Sequence, residues 1–267
     1  MPILLPNSEK RRDHLVIPDD HAHPGDNFRR YEWLGNYIME HMPAVIVKLG
    51  DSWDMASLCS YDKGKKEFVF KNVKDDIEAG HESERVMFKP MMDYNKTRSR
   101  WKKKQYNPLI VKILGNHEHR VQRLLDYEPQ WEGTLDMSNF NNRLGLKETV
   151  VDFMDFIVVD GIAYSHYFVS GAMGRPFSSA RAMIGKRAMS ATMGHTHMFD
   201  THTVTRPTGE NIRGLIAGSF HDPEHESFAG VQVDRIWWNG IFHKHDVFDG
   251  DYDLEEINVN RLRRMYE

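Results

Sequence analysis

An apolar run, Leu109-Ile-Val-Lys-Ile-Leu114, stops at Gly115, and Asn116, His117 and Glu118 follow without a gap. Aliphatic and β-branched residues over six positions suit a buried strand. The glycine suits a sharp turn, and the three polar side chains then project from the strand's carboxyl end. An open α/β sheet delivers its chemistry at that edge. An amide oxygen can bind a hard cation, and an imidazole can carry a proton. The competing reading is a strand-to-helix turn with an incidental histidine. Other stretches of the chain repeat the layout and weigh against it.

Residues 15–18 predict a short buried strand that ends at Asp19-Asp20-His21-Ala22-His23. Pro24-Gly25-Asp26 is turn chemistry. Asp26 or Asn27 is then expected to cap a helix with Phe28, Tyr31, Leu34, Tyr37 and Ile38 at helical spacing, closed by Pro43. Ala44 to Leu49 predicts a second strand, followed by Gly50-Asp51-Ser52-Trp53-Asp54. Strand, polar turn, helix, strand, polar turn is the pattern of a βαβ unit with parallel strands.

The third strand comes only after residues 60–107, read as a helical, basic insertion in a single domain spanning 1–267. Its helix is expected near 76–98, with Ile77, Val86, Met87, Met91 and Tyr94 as candidate buried positions and Pro90 as a kink or break. It ends in Lys96-Thr-Arg-Ser-Arg-Trp-Lys-Lys-Lys104, which holds six basic residues and no acid. Residues 120–128 predict a short helix. Phe156 to His166 predicts a hairpin about Asp160-Gly161. Ser179 to Met189 predicts a helix with Ala180, Met183, Ile184 and Arg187 on one side. Strands are expected at 201–206 and 212–217, and at 231–238 and 241–247 about Asn239-Gly240. Parallel βα units first and hairpins later indicate an α/β chain with two packed sheets and helices outside.

Composition narrows function. The chain has 267 residues and a formal charge of -4, so the whole molecule is not a basic nucleic-acid binder. One cysteine, Cys59, excludes an intrachain disulfide and fits a reducing compartment, with a cytoplasmic location expected. No run approaches the ~18 apolar residues of a membrane span, and Met1 to Pro6 does not read as a signal h-region. Fifteen histidines beside one cysteine point to a His/carboxylate metal site rather than thiolate zinc.

The polar strand ends are Asp19-x-His21, Gly50-Asp51-x-x-Asp54, Gly115-Asn116-His117-Glu118, His166 and Gly194-His195-Thr196-His197. Carboxylates, an amide and several imidazoles suit two divalent ions held close together, and a carboxylate such as Asp51 has two oxygens with which to bridge them. In this order the five pieces resemble the signature of the calcineurin-like metallophosphoesterases: D-x-H, G-D-x-x-D, G-N-H-[ED], a lone His, and G-H-x-H. The whole-chain pattern further resembles phosphoesterases carried by phages and prophages, a likeness that names no substrate.

The resemblance implies a four-layer α/β/β/α sandwich and a dinuclear-metal hydrolase of phosphomonoesters or phosphodiesters, acting through a hydroxide shared by the metals. It implies that Asp19, His21 and His197 hold one ion, that Asn116, His166 and His195 hold the other, and that Asp51 bridges them. His117 would face the phosphate, and Asp54 would accept a hydrogen bond from it. Manganese is the first choice of metal, with iron, zinc, nickel and magnesium also compatible. Protein Ser/Thr phosphatases carry Arg-Gly after Gly-Asp-x-x-Asp. Met55-Ala56 stands here, which argues against a phosphoprotein substrate.

Arg120, Arg175 and His221 are the candidates for contact with substrate. A phosphorylated small molecule, a nucleotide or a nucleic acid is the expected partner, and no membrane. A DNA or RNA nuclease is the alternative on the same site: the basic run favours it, with Trp101 as a stacking residue, while net charge and the acidic residues Asp249 to Glu256 oppose it. A non-catalytic interaction module is the other alternative. It is opposed by the presence of every motif residue. His81, His225, His243 and His245 read as surface or internally satisfied residues, and the methionines 87, 91 and 92 as core.

Overall fold

The computed structural model describes residues 2–59, 71–221 and 236–267. In chain order its elements are β1 (Ile3–Leu4), β2 (Arg12–Ile17), α1 (Arg29–His41), β3 (Val45–Lys48), α2 (Val73–Arg100), β4 (Leu109–Ile113), α3 (His119–Tyr127), β5 (Glu148–Val151), β6 (Ile157–Val159), β7 (Ile162–Ser165), α4 (Ala180–Arg187), β8 (Ser190–Met193), β9 (Phe199–Thr205), β10 (Asn211–Ala217), β11 (Gly240–Phe248), β12 (Asp251–Asn258) and α5 (Val259–Tyr266). One sheet has the order β12-β11-β2-β3-β4-β5, the other β1-β6-β7-β8-β10-β9. In the first, β2 to β5 run parallel and β11 and β12 are antiparallel additions. In the second, β7, β8 and β10 run parallel, and β6 and β9 pair antiparallel with their neighbours β7 and β10.

Side chains alternate across each strand, so each sheet has two apolar faces to cover. Val16, Val47 and Val111 of the first sheet meet Val159, Tyr164 and Leu215 of the second in a shared core. On the first sheet's other face, Leu15, Ile46 and Ile110 meet Tyr31 and Leu34 of α1, Phe88 of α2 and Leu262 of α5. Ala163, Ala191 and Ile216 of the second sheet meet Met183 and Ile184 of α4. The result is a mixed α/β sandwich with five α-helices among the described residues. None of them is long and apolar enough to cross a membrane.

The stretch read as a helical, basic insertion is helical over most of its described part, and its residues 60–70 lie outside the described ones. Val73 to Arg100 is one helix of 28 residues, unbroken at Pro90. It is the crossover between the parallel strands β3 and β4, and such strands need a connection of this kind. At ~1.5 Å per residue it is roughly 42 Å long, while β3 and β4 are about 13–17 Å long. It therefore overhangs them and returns the chain to the amino end of β4, far from Asn116. Lys102, Lys103 and Lys104 line a groove of about 1000 Å³ there, with Arg12, Ala44, Leu109 and Lys147, all at or beside the amino ends of strands. Ile77, Met87 and Met91 are buried as expected, while Val86 and Tyr94 are only half-buried.

Four other expectations change. Asp26 and Asn27 do not cap α1. Phe28 takes that place at φ 56°, and each acid or amide accepts an N–H two residues on. Arg187 is exposed, its guanidinium over the Phe168 ring at 4.8 Å. Among the described residues no hairpin forms at Asn239-Gly240: 236–238 are not strand, β11 pairs with β2 and β12, and 231–235 lie outside the described residues. The hairpin sits instead at Asp249-Gly250, both at positive φ, so the acidic residues after it form the edge strand β12 rather than a tail.

Buried charge was not foreseen. Lys48 and Lys112 occupy paired positions on β3 and β4 with no exposure. Glu84 Oε1 of α2 receives both ammonium groups, at 3.4 and 2.7 Å. Burial works against the charge on Lys48, but Asp20 and Glu84 keep it protonated. Trp53 lies between this network and the turn after β3, its ring 5.6 and 5.1 Å from the two ammonium groups.

Candidate metal centre

Five parallel strands from two sheets stop at one edge. The turns after β2, β3, β4, β7 and β8 bring together Asp19 and His21, Asp51 and Asp54, Asn116 and His117, His166, and His195 and His197. Apolar strands end here because each is followed by a residue able to reverse the chain. Gly50 has φ 101°, and Asp51, His21, His195 and His197 are themselves left-handed at φ 48°, 43°, 70° and 56°. Non-glycine residues in that region are strained and persist only where the surroundings over-determine them. Glycine is also required for space: a Cβ on Gly115 would strike the Asp51 carboxylate, and one on Gly194 the Asp19 carboxylate.

The donors fall into two adjoining groups. Asp19, His21 and His197 form one, with His21 Nε2 and His197 Nε2 3.2 Å apart. Asp51, His166 and His195 form the other. His166 Nε2 lies 3.1 Å from His195 Nδ1, 2.8 Å from Asn116 Oδ1 and 3.4 Å from Asp51 Oδ2. Asp51 also groups with His21 and His117, so it faces both sets.

These residues fit divalent ions. Two donors bound to one ion at ~2.1 Å stand roughly 3.0–3.4 Å apart, which is the spacing of the imidazole nitrogens here. Asp19 Oδ1 is buried without a hydrogen-bond partner. Its other oxygen is held by the His195 backbone N–H at 2.8 Å. His166 donates Nδ1–H to the Leu49 carbonyl at 2.9 Å, leaving Nε2 aimed at the second group, the usual arrangement of a ligating histidine.

The charges are mutually dependent. Burial raises the Asp19 carboxyl to about 7, against the pull of His166. Burial opposes charge on His166, but Asp51 and Asp19 lift it to about 9. Burial also opposes ionisation of Asp51, yet His117 and His166 hold it well below the ordinary range. Burial and the neighbouring His166 lower His195 to about 4, and burial and His21 lower His197. His195 and His197 are thus uncharged, as ligands must be, whereas a cation bound at His166 would displace its proton.

His117 is held from three sides. Its backbone N–H donates to Asp51 Oδ1 at 2.8 Å. Its ring Nδ1 donates to Asp54, but the nearer acceptor is the main-chain carbonyl at 2.7 Å, with the carboxylate at 3.4 Å. Asp54 therefore orients this ring largely through its backbone, and its carboxylate stands between His117 and His21. Burial opposes the charge on Asp54, and hydrogen bonds from those two rings keep it ionised. Arg120 Nη2 lies 2.9 Å from His117 Nε2, while Nη1 donates to the Asp54 and Met55 carbonyls.

Of the other substrate candidates, His221 is buried beside the first group. Its ring stacks on His197 at 5.8 Å and its Nδ1 pairs with Ser219 Oγ at 2.7 Å. Arg175 is exposed on the loop after β7, and among the described residues its guanidinium joins none of the cluster. The basic run is at the opposite end of the strands.

Glu118 has a larger part than its place in the motif suggested. It is fully buried and accepts the backbone N–H groups of Asp51, Ser52, Trp53 and Gly115 at 2.7–3.1 Å. One carboxylate thus ties the turn after β3 to the turn after β4. Arg30, unremarked in the sequence, is buried and donates to the Asp20 and Phe220 carbonyls, fixing the turn after β2 against that after β10. Its only signal was an arginine on the apolar side of a helix.

No protein-family profile matches the chain, and no curated protein matches it.

Proposed function

We propose that this chain is a metal-dependent hydrolase of phosphate esters, with the four-layer α/β/β/α architecture of the calcineurin-like metallophosphoesterases. The observation that carries the proposal is Asp51, whose carboxylate faces both donor groups. Two divalent ions, when bound, would activate water and neutralise the oxygens of a phosphate. Asp19, His21 and His197 would hold one, Asn116, His166 and His195 the other, and manganese is the first metal to supply.

The protein's own groups do the rest. His117 keeps its proton on Nδ1 through Asp54 and turns Nε2 toward the cluster, 3.8 Å from Asp51 Oδ2. Protonated at Nε2, it would donate to a leaving oxygen. Arg120 Nη2 donates to that nitrogen here; turned to a phosphate oxygen beside it, the guanidinium would bind substrate and leave Nε2 able to carry the proton. Small phosphorylated molecules are preferred as substrates over nucleic acid, because the basic run that favoured a nuclease lies at the far end of β4.

The test is a metal-supplemented screen of nitrophenyl mono- and diesters, nucleotides, cyclic nucleotides, and single- and double-stranded nucleic acid. Turnover that needs divalent metal and falls by about 10²–10⁴-fold in His117→Ala on esters with poor leaving groups supports the proposal. A chain that holds two ions and hydrolyses none of these overturns it.

A further inference from the structure

A second group of donors lies at the other end of β2. Asp13, His243 and His245 offer ligand atoms within 4.8 Å of one another, on the α1 side of the first sheet. Asp19 lies six steps along the chain from Asp13, mostly through β2, about 20 Å if extended, so the two sites are distinct.

Each side chain is already oriented. The Asp246 backbone N–H holds Asp13 Oδ1 at 2.9 Å, leaving Oδ2 to face the two imidazoles. That N–H is available because the ladder of β11 shifts register after Lys244, and Asp246 turns over at φ 53°. His243 Nδ1 lies 2.7 Å from the Tyr37 hydroxyl, and His245 Nε2 lies 3.0 Å from Glu255 Oε2. Their other nitrogens stand 3.6 and 3.7 Å from Asp13 Oδ2. His243 Nε2 is buried without a hydrogen-bond partner. His243 Nε2 thus faces Asp13 Oδ2 across 3.6 Å with no hydrogen bond between them, a gap that a cation would fill. Ligands on one tetrahedral ion are separated by roughly 3.4 Å, and each histidine has the oxygen partner on its far nitrogen that ligating histidines have.

We propose that Asp13, His243 and His245 form a separate site for one imidazole-preferring divalent cation of the zinc class. Two nitrogens and one carboxylate oxygen suit such an ion, with the fourth position open to solvent past the half-exposed Asp13 and His245. The ion would join the amino end of β2 to the register shift in β11. The site owes nothing to the chemistry proposed for the first cluster.

The test counts zinc. Metal-stripped protein is loaded with Zn²⁺, dialysed against metal-free buffer and analysed for zinc per chain. Asp13→Asn and His245→Gln, both at partly exposed positions, are each expected to hold one ion fewer than wild type, which cancels whatever the first cluster binds. Wild type loaded with Co²⁺ should show visible absorption of tetrahedral intensity that Asp13→Asn lacks. Equal zinc in wild type and both variants overturns the proposal, as does zinc at this site that dialysis removes.

Discussion

Glu118 Oε1 accepts the backbone N–H of Ser52 at 2.7 Å, sixty-six residues back along the chain. The same oxygen takes the Trp53 N–H, and Oε2 takes those of Asp51 and Gly115. The two turns that carry the candidate ligands Asp51 and Asn116, together with Asp54 and His117, are therefore tied to one another. In Glu118→Gln one of the two oxygens becomes an amide nitrogen, a donor set against donors. The expected loss is about 3 kcal/mol of stability, read by urea unfolding of the metal-free protein. A loss under about 1 kcal/mol would show that the turns hold without this carboxylate.

Asp51→Asn is expected to empty both halves of the cluster, because the residue serves both donor groups. Metal analysis after loading with Mn²⁺ or Zn²⁺ is the check, best made beside Asp13→Asn. Two ions retained in the cluster would remove Asp51 from the bridging role.

His117→Ala should keep its metals and lose about 10²–10⁴-fold in turnover, the usual worth of a positioned acid. The loss should shrink for nitrophenyl esters, whose leaving oxygen needs little protonation. Arg120→Ala should act mainly on KM, since its guanidinium is placed to bind phosphate rather than to move a proton. If His117→Ala lost its metals instead, the ring would be a ligand.

His14 lies between the sheets, its ring on the Tyr164 hydroxyl at 2.8 Å and on Asp160 at 2.9 Å. Burial lowers its pKa despite Asp160. The unfolded chain then binds more protons below pH ~6.5, so this group's contribution to stability is present above that pH and falls as pH drops. Burial opposes charge on Asp160, but His14, the Ser8 N–H and Arg12 hold it at about 2. Its contribution persists above pH ~3.8 and is lost between there and about 2. Unfolding of metal-free protein from pH 8 to 5 should have a positive slope that His14→Gln reduces. An unchanged slope would mean that His14 titrates normally in the fold.

Lys102→Glu, Lys103→Glu and Lys104→Glu combined should leave hydrolysis of a small nitrophenyl ester unchanged, because these residues border the groove at the amino ends of the strands. A fall of tenfold or more would require the run to reach the cluster, against its position after α2.

The strand-and-turn pattern was legible because it is local. A run such as Val45-Ile-Val-Lys48 declares its burial, and a glycine with acids or imidazoles after it declares a turn that displays them. Position alone therefore showed the polar strand ends at 19–23, 51–54, 116–118, 166 and 195–197, and the ligand set among them is what the resemblance to the metallophosphoesterase signature implies. Lys48 and Lys112 could not. A lysine in a strand ordinarily signals solvent, and only α2, folding back over β3 and β4, brings Glu84 between them. The hairpin at Asp249-Gly250 was missed for Asn239-Gly240, since two equally good turn dipeptides differ only in the pairing partner each flank finds, and β11 finds β2.

What the chain determined by itself is the set of βα turns and the residue types they carry, since both follow from local periodicity and backbone freedom. Tertiary structure alone decided which turns meet. The long α2 carries the basic run away from the cluster, the stacking of two sheets sets His166, His195 and His197 against Asp51 and Asp19, and the register shift of β11 places His245 and the Asp246 N–H on Asp13. Each of these depends on contacts between residues tens to hundreds of positions apart. Such contacts form because burying both faces of both sheets admits few arrangements, and no local pattern encodes which one is chosen.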